Sequence, residues 1–244
     1  MDVMEISGAD MGTVVDDSGV ERATRVGVGV CFIVFPLIWV FAFAVHPDLL
    51  DLRILSAEEL IARAHGDALL QFAHALVTLN TAVLVVLTLH FKRLLDRTPY
   101  AAAGLLGASL AVVGACMLAA DKGALCLTMS ALDTLPESEF AQLMPGLLAI
   151  FSFKGWMVLV WGLVLMPIGV AIQTIAMMRA GALPQWQLWL LLAGVLFIGF
   201  PDGAEIINLT AALLMASAMV PYGVQLLSKR RRTGAESRDP VRTG

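Results

Sequence analysis

Long uncharged apolar stretches alternate with short polar segments along this chain, the spacing of membrane-spanning helices. Six stretches approach the ~20 apolar residues that one helix needs to cross a hydrocarbon core. They cover residues 26–45, 69–91, 101–120, 155–178, 186–200 and 204–227, the third with helical pattern available as far as 131. The fifth is shorter than the usual ~17–25 residues, yet residues 188–198 carry no charge. Without it the two chain ends would lie on opposite sides. The pattern therefore predicts an all-α polytopic membrane protein: residues 1–24 as an acidic segment, 25–228 as a six-helix transmembrane domain, and 229–244 as a basic, disordered tail.

Charge orients this bundle. With six crossings, Arg22, Arg25, Lys92, Arg93, Arg97, Arg179, Lys229, Arg230, Arg231, Arg232, Arg238 and Arg242 share one side, while Arg53, Arg63, Lys122 and Lys154 face the other with most of the acids. The positive-inside rule then places both termini in the cytoplasm and the protein in the cell's inner membrane. Residues 1–24 hold six acids and no apolar core, unlike a signal peptide, which begins with a basic segment. The run Lys229-Arg230-Arg231-Arg232 reads as a topology anchor, with recruitment of anionic lipid as the alternative.

Composition supports the same class. The 244 residues are 59% hydrophobic and 15% charged, with a mean hydropathy of +0.82, against about 45–50% and about 25% in soluble domains. Net charge of -4 excludes a nucleic-acid partner; membrane lipids are the partners this surface predicts. Cys31, Cys116 and Cys126 lie in or beside spans without a CxxC spacing and read as small core residues.

Local signals add detail. Ala103, Gly107, Ala111, Ala115, Ala119 and Gly123 recur every four residues, giving the third span a smooth face for close packing at the centre of the bundle. Pro36 and Pro167 predict kinks. Ser56 and Glu59 form a capping box opening a short helix from 57 to about 65. Residues 139–153 are apolar enough to lie on the outer interface.

Unusual polar residues fall almost entirely near the outer boundary. Asp67, Gln71, His74 and Thr78 are spaced by four, three and four, so they share one helix face. Asp121 closes the third span, Lys154 precedes the fourth, Asp202 and Glu205 join the fifth to the sixth, and Asn208 lies one turn deeper. Charged groups within a bilayer are expensive and normally turn toward partners or water. Glu205 and Asp121 are the acid–base candidates and His74 the relay; Asp67, Gln71, Asp202, Asn208 and Lys154 are candidate ligand contacts. The alternative is headgroup solvation, pairing of the acids with Lys122 and Lys154, and a His74 ring bonded to Gln71 or Thr78. No metal or other cofactor is expected: HExxH spacing is absent, and His74 and His90, sixteen residues apart, face opposite sides of one helix.

His46-Pro47 after the first span, His74 early in the second, Asp121 closing a Gly/Ala-rich third, and Arg179-Ala180-Gly181-Ala182-Leu183-Pro184 followed by Trp186 together form a pattern. It resembles a broad family of bacterial six-helix membrane proteins classed as a domain of unknown function. The resemblance spans about 22–227 and implies six helices and a bacterial inner membrane, with no activity attached. Three function classes follow from the residues. The first is a protein binding a lipid-like or small amphiphilic molecule in an outer polar pocket, extending to an enzyme that isomerises, cyclises or hydrolyses it. The others are a proton-coupled transporter and an accessory subunit without chemistry.

Overall fold

The structure is a computed structural model that describes residues 17–47, 49–53, 56–151, 153–198 and 205–228, with side chains described except at 17–18, 125–126, 150–151 and 153–161. Among the described residues it is all-α: α1 (Asp17–Ala44), α2 (Ala57–Ala64), α3 (Ala68–Leu95), α4 (Ala101–Leu132), α5 (Glu137–Phe151), α6 (Phe153–Ala180), α7 (Gln185–Phe197) and α8 (Glu205–Ser228). Five of these are long and apolar enough to cross a membrane: α1, α3, α4, α6 and α8. The fifth predicted span is α7, whose 13 residues extend ~20 Å at 1.5 Å per residue.

Six helices close a ring in which α1 packs on α3, α3 on α4, α4 on α6, α6 on α7, α7 on α8 and α8 on α1. Neighbours in this ring run antiparallel. The bundle therefore has an acidic end, carrying His46, Asp67 and Glu205, and a basic end, carrying Lys92, Arg93, Arg97 and Arg179. The small-residue face of α4 meets α6 at backbone distance. A Cβ at Gly107 would lie 2.6 Å from the Gly169 carbonyl, and one at Gly162 2.7 Å from the Leu118 nitrogen. The stripe is thus used as predicted, but α4 is not central. A ring has no central helix, and Leu105, Leu106 and Val113 of α4 are exposed on the apolar perimeter. Cys116 is exposed on the same face and Cys31 half-buried, so Cys116 is no core residue; Cys126 lies outside the described side chains.

Two buried amides bind the ring together. Gln173 of α6 donates from Nε2 to the Thr88 carbonyl at 3.0 Å and the Gly104 carbonyl at 3.1 Å, joining α3 and α4. Asn80 of α3 donates to the Phe35 carbonyl of α1 at 2.9 Å, one residue before Pro36. Each such interhelical bond is worth about 0.6–2 kcal/mol in a membrane. Gln173→Leu keeps the volume and removes both bonds. It is expected to lower the melting temperature in detergent by about 3–8 °C for a chain of this size, and an unchanged melting curve would show that the amide carries no stability.

A second, smaller core caps the acidic end. Ile61 of α2, Met129 of α4, and Phe140 and Leu147 of α5 pack together. The predicted capping box is present: Ser56 accepts from the Glu59 N–H, and Glu59 accepts from the Ser56 N–H at 2.8 Å. The Ser56 N–H, and with it the Ser56 hydroxyl, donate to the Glu59 carboxylate and hold it below its ordinary value. His65 stacks on Phe140 at 3.7 Å and its Nδ1 lies 3.3 Å from Asp133, which also accepts the Gly66 N–H at 2.8 Å. Gly66 has φ of +73°, a conformation that glycine adopts without strain. Before α2, the Arg53 guanidinium sits 2.8 Å from Asp51, with Arg63 at 3.3 Å. Arg53 chiefly, then Arg63, holds the Asp51 carboxyl well below the usual carboxylate range.

Candidate functional site

Glu205 opens α8 at the acidic end, and its side chain turns inward: the residue is 6% exposed. One carboxylate oxygen accepts from Asn208 Nδ2 at 3.4 Å, the i, i+3 spacing that places both on one face. The other lies 3.6 Å from His46 Nδ1. His46 is delivered by the last turn of α1, where its N–H donates to the Phe43 carbonyl at 3.3 Å. The His74 ring of α3 stands edge-on to it, centroids 6.0 Å apart, with Lys122 of α4 within electrostatic range of His74. Asp121 is buried, 8% exposed, on the inner face of α4. Groups from α1, α3, α4 and α8 thus converge at this end of the ring.

The other predicted site residues divide. Asp67 caps α3, accepting the Leu70 N–H at 2.9 Å. Gln71 donates to the Ala64 carbonyl that ends α2, at 3.3 Å. Both tie the α2–α3 corner, so the face they share with His74 is used partly for folding. Asn208 joins Glu205. Asp202 lies outside the described residues, and Lys154 outside the described side chains. The His74 ring is bonded to neither Gln71 nor Thr78: the Thr78 hydroxyl donates to the His74 backbone carbonyl at 3.0 Å, the habit of a threonine within a helix.

His46 is the partner that the sequence analysis left out of its candidate set. The available signal was depth, since 46 closes one span and 205 opens another on the same side. Two further pairs also joined only on folding, His65 with Asp133 at the acidic cap and His90 with Tyr222 at the basic end, whose polar atoms are 3.0 Å apart.

Chemically, Glu205 and His46 form a carboxylate–imidazole pair at ion-pair distance, shielded by apolar helices and with the Asn208 amide beside the carboxylate. Among the described residues no cluster of three or more His, Cys, Asp or Glu side chains has the geometry to hold a metal ion. Deeper along the ring axis lies a cavity of about 20 Å³. Its walls come from α1, α3, α6, α7 and α8 and include Trp39, Leu84, Met166, Val195, Met215 and Met219. It is apolar, and such cavities stay dry. No family model, no curated protein and no solved structure matches the chain.

Proposed function

We propose that this chain is a six-helix integral membrane protein of the inner membrane with both termini cytoplasmic, and that its outward, acidic end binds the polar head of an amphiphile and exchanges protons with it. Antiparallel packing of α7 against α6 and α8 supports the sixth crossing, because α7 returns the chain to the acidic end. The basic residues gathered at the opposite end support the orientation. The likeness to the bacterial six-helix family belongs to the same reading.

One observation carries the functional part: a buried carboxylate at an apolar bundle's end, between an imidazole and an amide. Burying such a group is expensive unless it is partnered, and histidine is the side chain suited to proton exchange near neutrality. An amphiphile places its head where Glu205, His46 and His74 meet, with the buried Asp121 of α4 at the same end of the ring, and its chain points toward the methionine-lined axis, whose unbranched side chains repack readily. Isomerisation, cyclisation or hydrolysis of the head are the reactions open to this acid–base set. The apolar walls of the axial cavity favour this over a proton-coupled carrier, which needs polar groups through the middle of the membrane.

Native mass spectrometry of the protein in mild detergent tests the proposal. The expected result is a retained amphiphile distinct from the bulk phospholipids. A protein carrying bulk phospholipid alone, at every pH between 5 and 9, would leave an accessory or structural role as the better account.

A further inference from the structure

At the basic end, far from Glu205, α7 begins immediately after Pro184, whose carbonyl accepts the Gln187 N–H at 3.1 Å. This first turn aims the Gln187 side chain into the bundle, leaving the residue 7% exposed. Its Oε1 is buried and has no partner among the described residues. A buried acceptor without a donor forfeits its hydration with nothing in return. Gln187 lines a cavity of about 10 Å³ together with Phe32, Phe91, Leu191, Met219 and Tyr222. That is close to the ~10–15 Å³ that one water occupies on this measure.

Tyr222 supplies the second polar wall. Its hydroxyl lies 3.0 Å from His90 Nε2, and the Phe32 ring packs edge-on against both, at 4.9 Å from Tyr222 and 5.5 Å from His90. The phenol has one proton to give and lone pairs to receive, so the bond to His90 leaves it capacity for one more partner.

The geometry points to a binding site for a single hydrogen-bond donor, a water molecule, joining Gln187 Oε1 of α7 to the Tyr222 hydroxyl of α8 and through it to His90 of α3. The hydrogen count closes in both polarities. When Tyr222 donates to His90 Nε2, the water gives one proton to the Tyr222 oxygen and one to Gln187. When His90 donates to Tyr222, the phenol donates to the water, which donates to Gln187. Because the chain closes both ways, the water is held whichever nitrogen of His90 carries the proton. It also fastens α7, the short helix of the ring, to two long ones.

X-ray radiolytic footprinting tests this with water as the probe, because radicals formed from a bound water mark the side chain that touches it. In wild-type protein Tyr222 is expected to be oxidised despite its burial, and Gln187→Leu or Gln187→Met should reduce that labelling several-fold. Either variant should also lower the melting temperature by about 2–4 °C, the shift of one lost buried hydrogen bond in a chain of this size. Adding Tyr222→Phe should then cost less than it does alone. A wild-type Tyr222 that stays unlabelled overturns the site whatever the variants do, and so does a Gln187→Leu protein that melts higher with its labelling unchanged. A larger donor in place of water would show as a mass adduct lost in Gln187→Met, and would overturn the assignment to water.

Discussion

Gly169→Val is expected to abolish the folded bundle, giving aggregated protein in size-exclusion chromatography and no cooperative melting. A Cβ at Gly169 would lie 2.4 Å from the Ala111 nitrogen and 2.5 Å from the Gly107 carbonyl oxygen, where ordinary contact begins at 3.4 Å. Both obstacles are backbone, so no rotamer change relieves them, and α4 and α6 must part. Overpacking a core typically costs about 1–3 kcal/mol, and here the separation also pulls Gln173 of α6 from the Gly104 carbonyl of α4. Gly114 is the matching position on the other helix, its Cβ 2.4 Å from the Met166 nitrogen. Gly27→Ala is the control, since nothing lies within 4 Å of that Cβ, and it should leave melting unchanged or slightly raised. Monodisperse Gly169→Val protein melting within about 2 °C of wild type, a loss below 1 kcal/mol, would refute the interlock.

The α4–α6 seam was legible because small residues at fixed spacing leave one physical option in a membrane, close backbone approach. Ser56 and Glu59 were legible for a similar reason: a capping box is satisfied within four residues and needs no tertiary context. Helix ends were less so. Helix α1 starts at Asp17, nine residues before the apolar stretch, because a helix need not stop at the membrane boundary. Acids in its first turns suit its dipole, and Glu21 stands four residues before Arg25 on one face. Apolar pattern locates the buried stretch and says little about where hydrogen bonding ceases. Pairing across helices was the least legible. The depth of Glu205 could be counted, but its partner depended on how α1 and α8 rotate, which Gly29 and Gly223 set: a Cβ at Gly223 would lie 2.7 Å from the Gly29 carbonyl. The ring order was equally hidden, so the small-residue face could be predicted as buried but not as one side of a closed ring.

Glu205→Gln is expected to remove the chemistry and spare the fold. The amide keeps the shape of the carboxyl and an oxygen that can accept from Asn208, so melting should stay within about 3 °C of wild type, near 1 kcal/mol. What disappears is the negative charge facing His46 and the capacity to hold or release a proton there. A charge-assisted hydrogen bond to a ligand head is worth about 1.5–3 kcal/mol, so occupancy by the retained amphiphile should fall by about tenfold or more. Turnover of that amphiphile should fall by about 10²–10⁴, the usual contribution of a general acid or base. His46→Gln should lose nearly as much, and the double variant little more than either single one, because groups that share one proton act as a unit. Asp121→Asn separates charge at this end of the ring from proton transfer: a smaller loss of occupancy, with the pH dependence of turnover retained, is expected from a carboxylate outside the His46–Glu205 pair. The reverse pattern, with occupancy and turnover untouched in Glu205→Gln and stability lowered, would make the His46–Glu205 pair a clasp between α1 and α8. The convergence of titratable groups at the acidic end would then be structural.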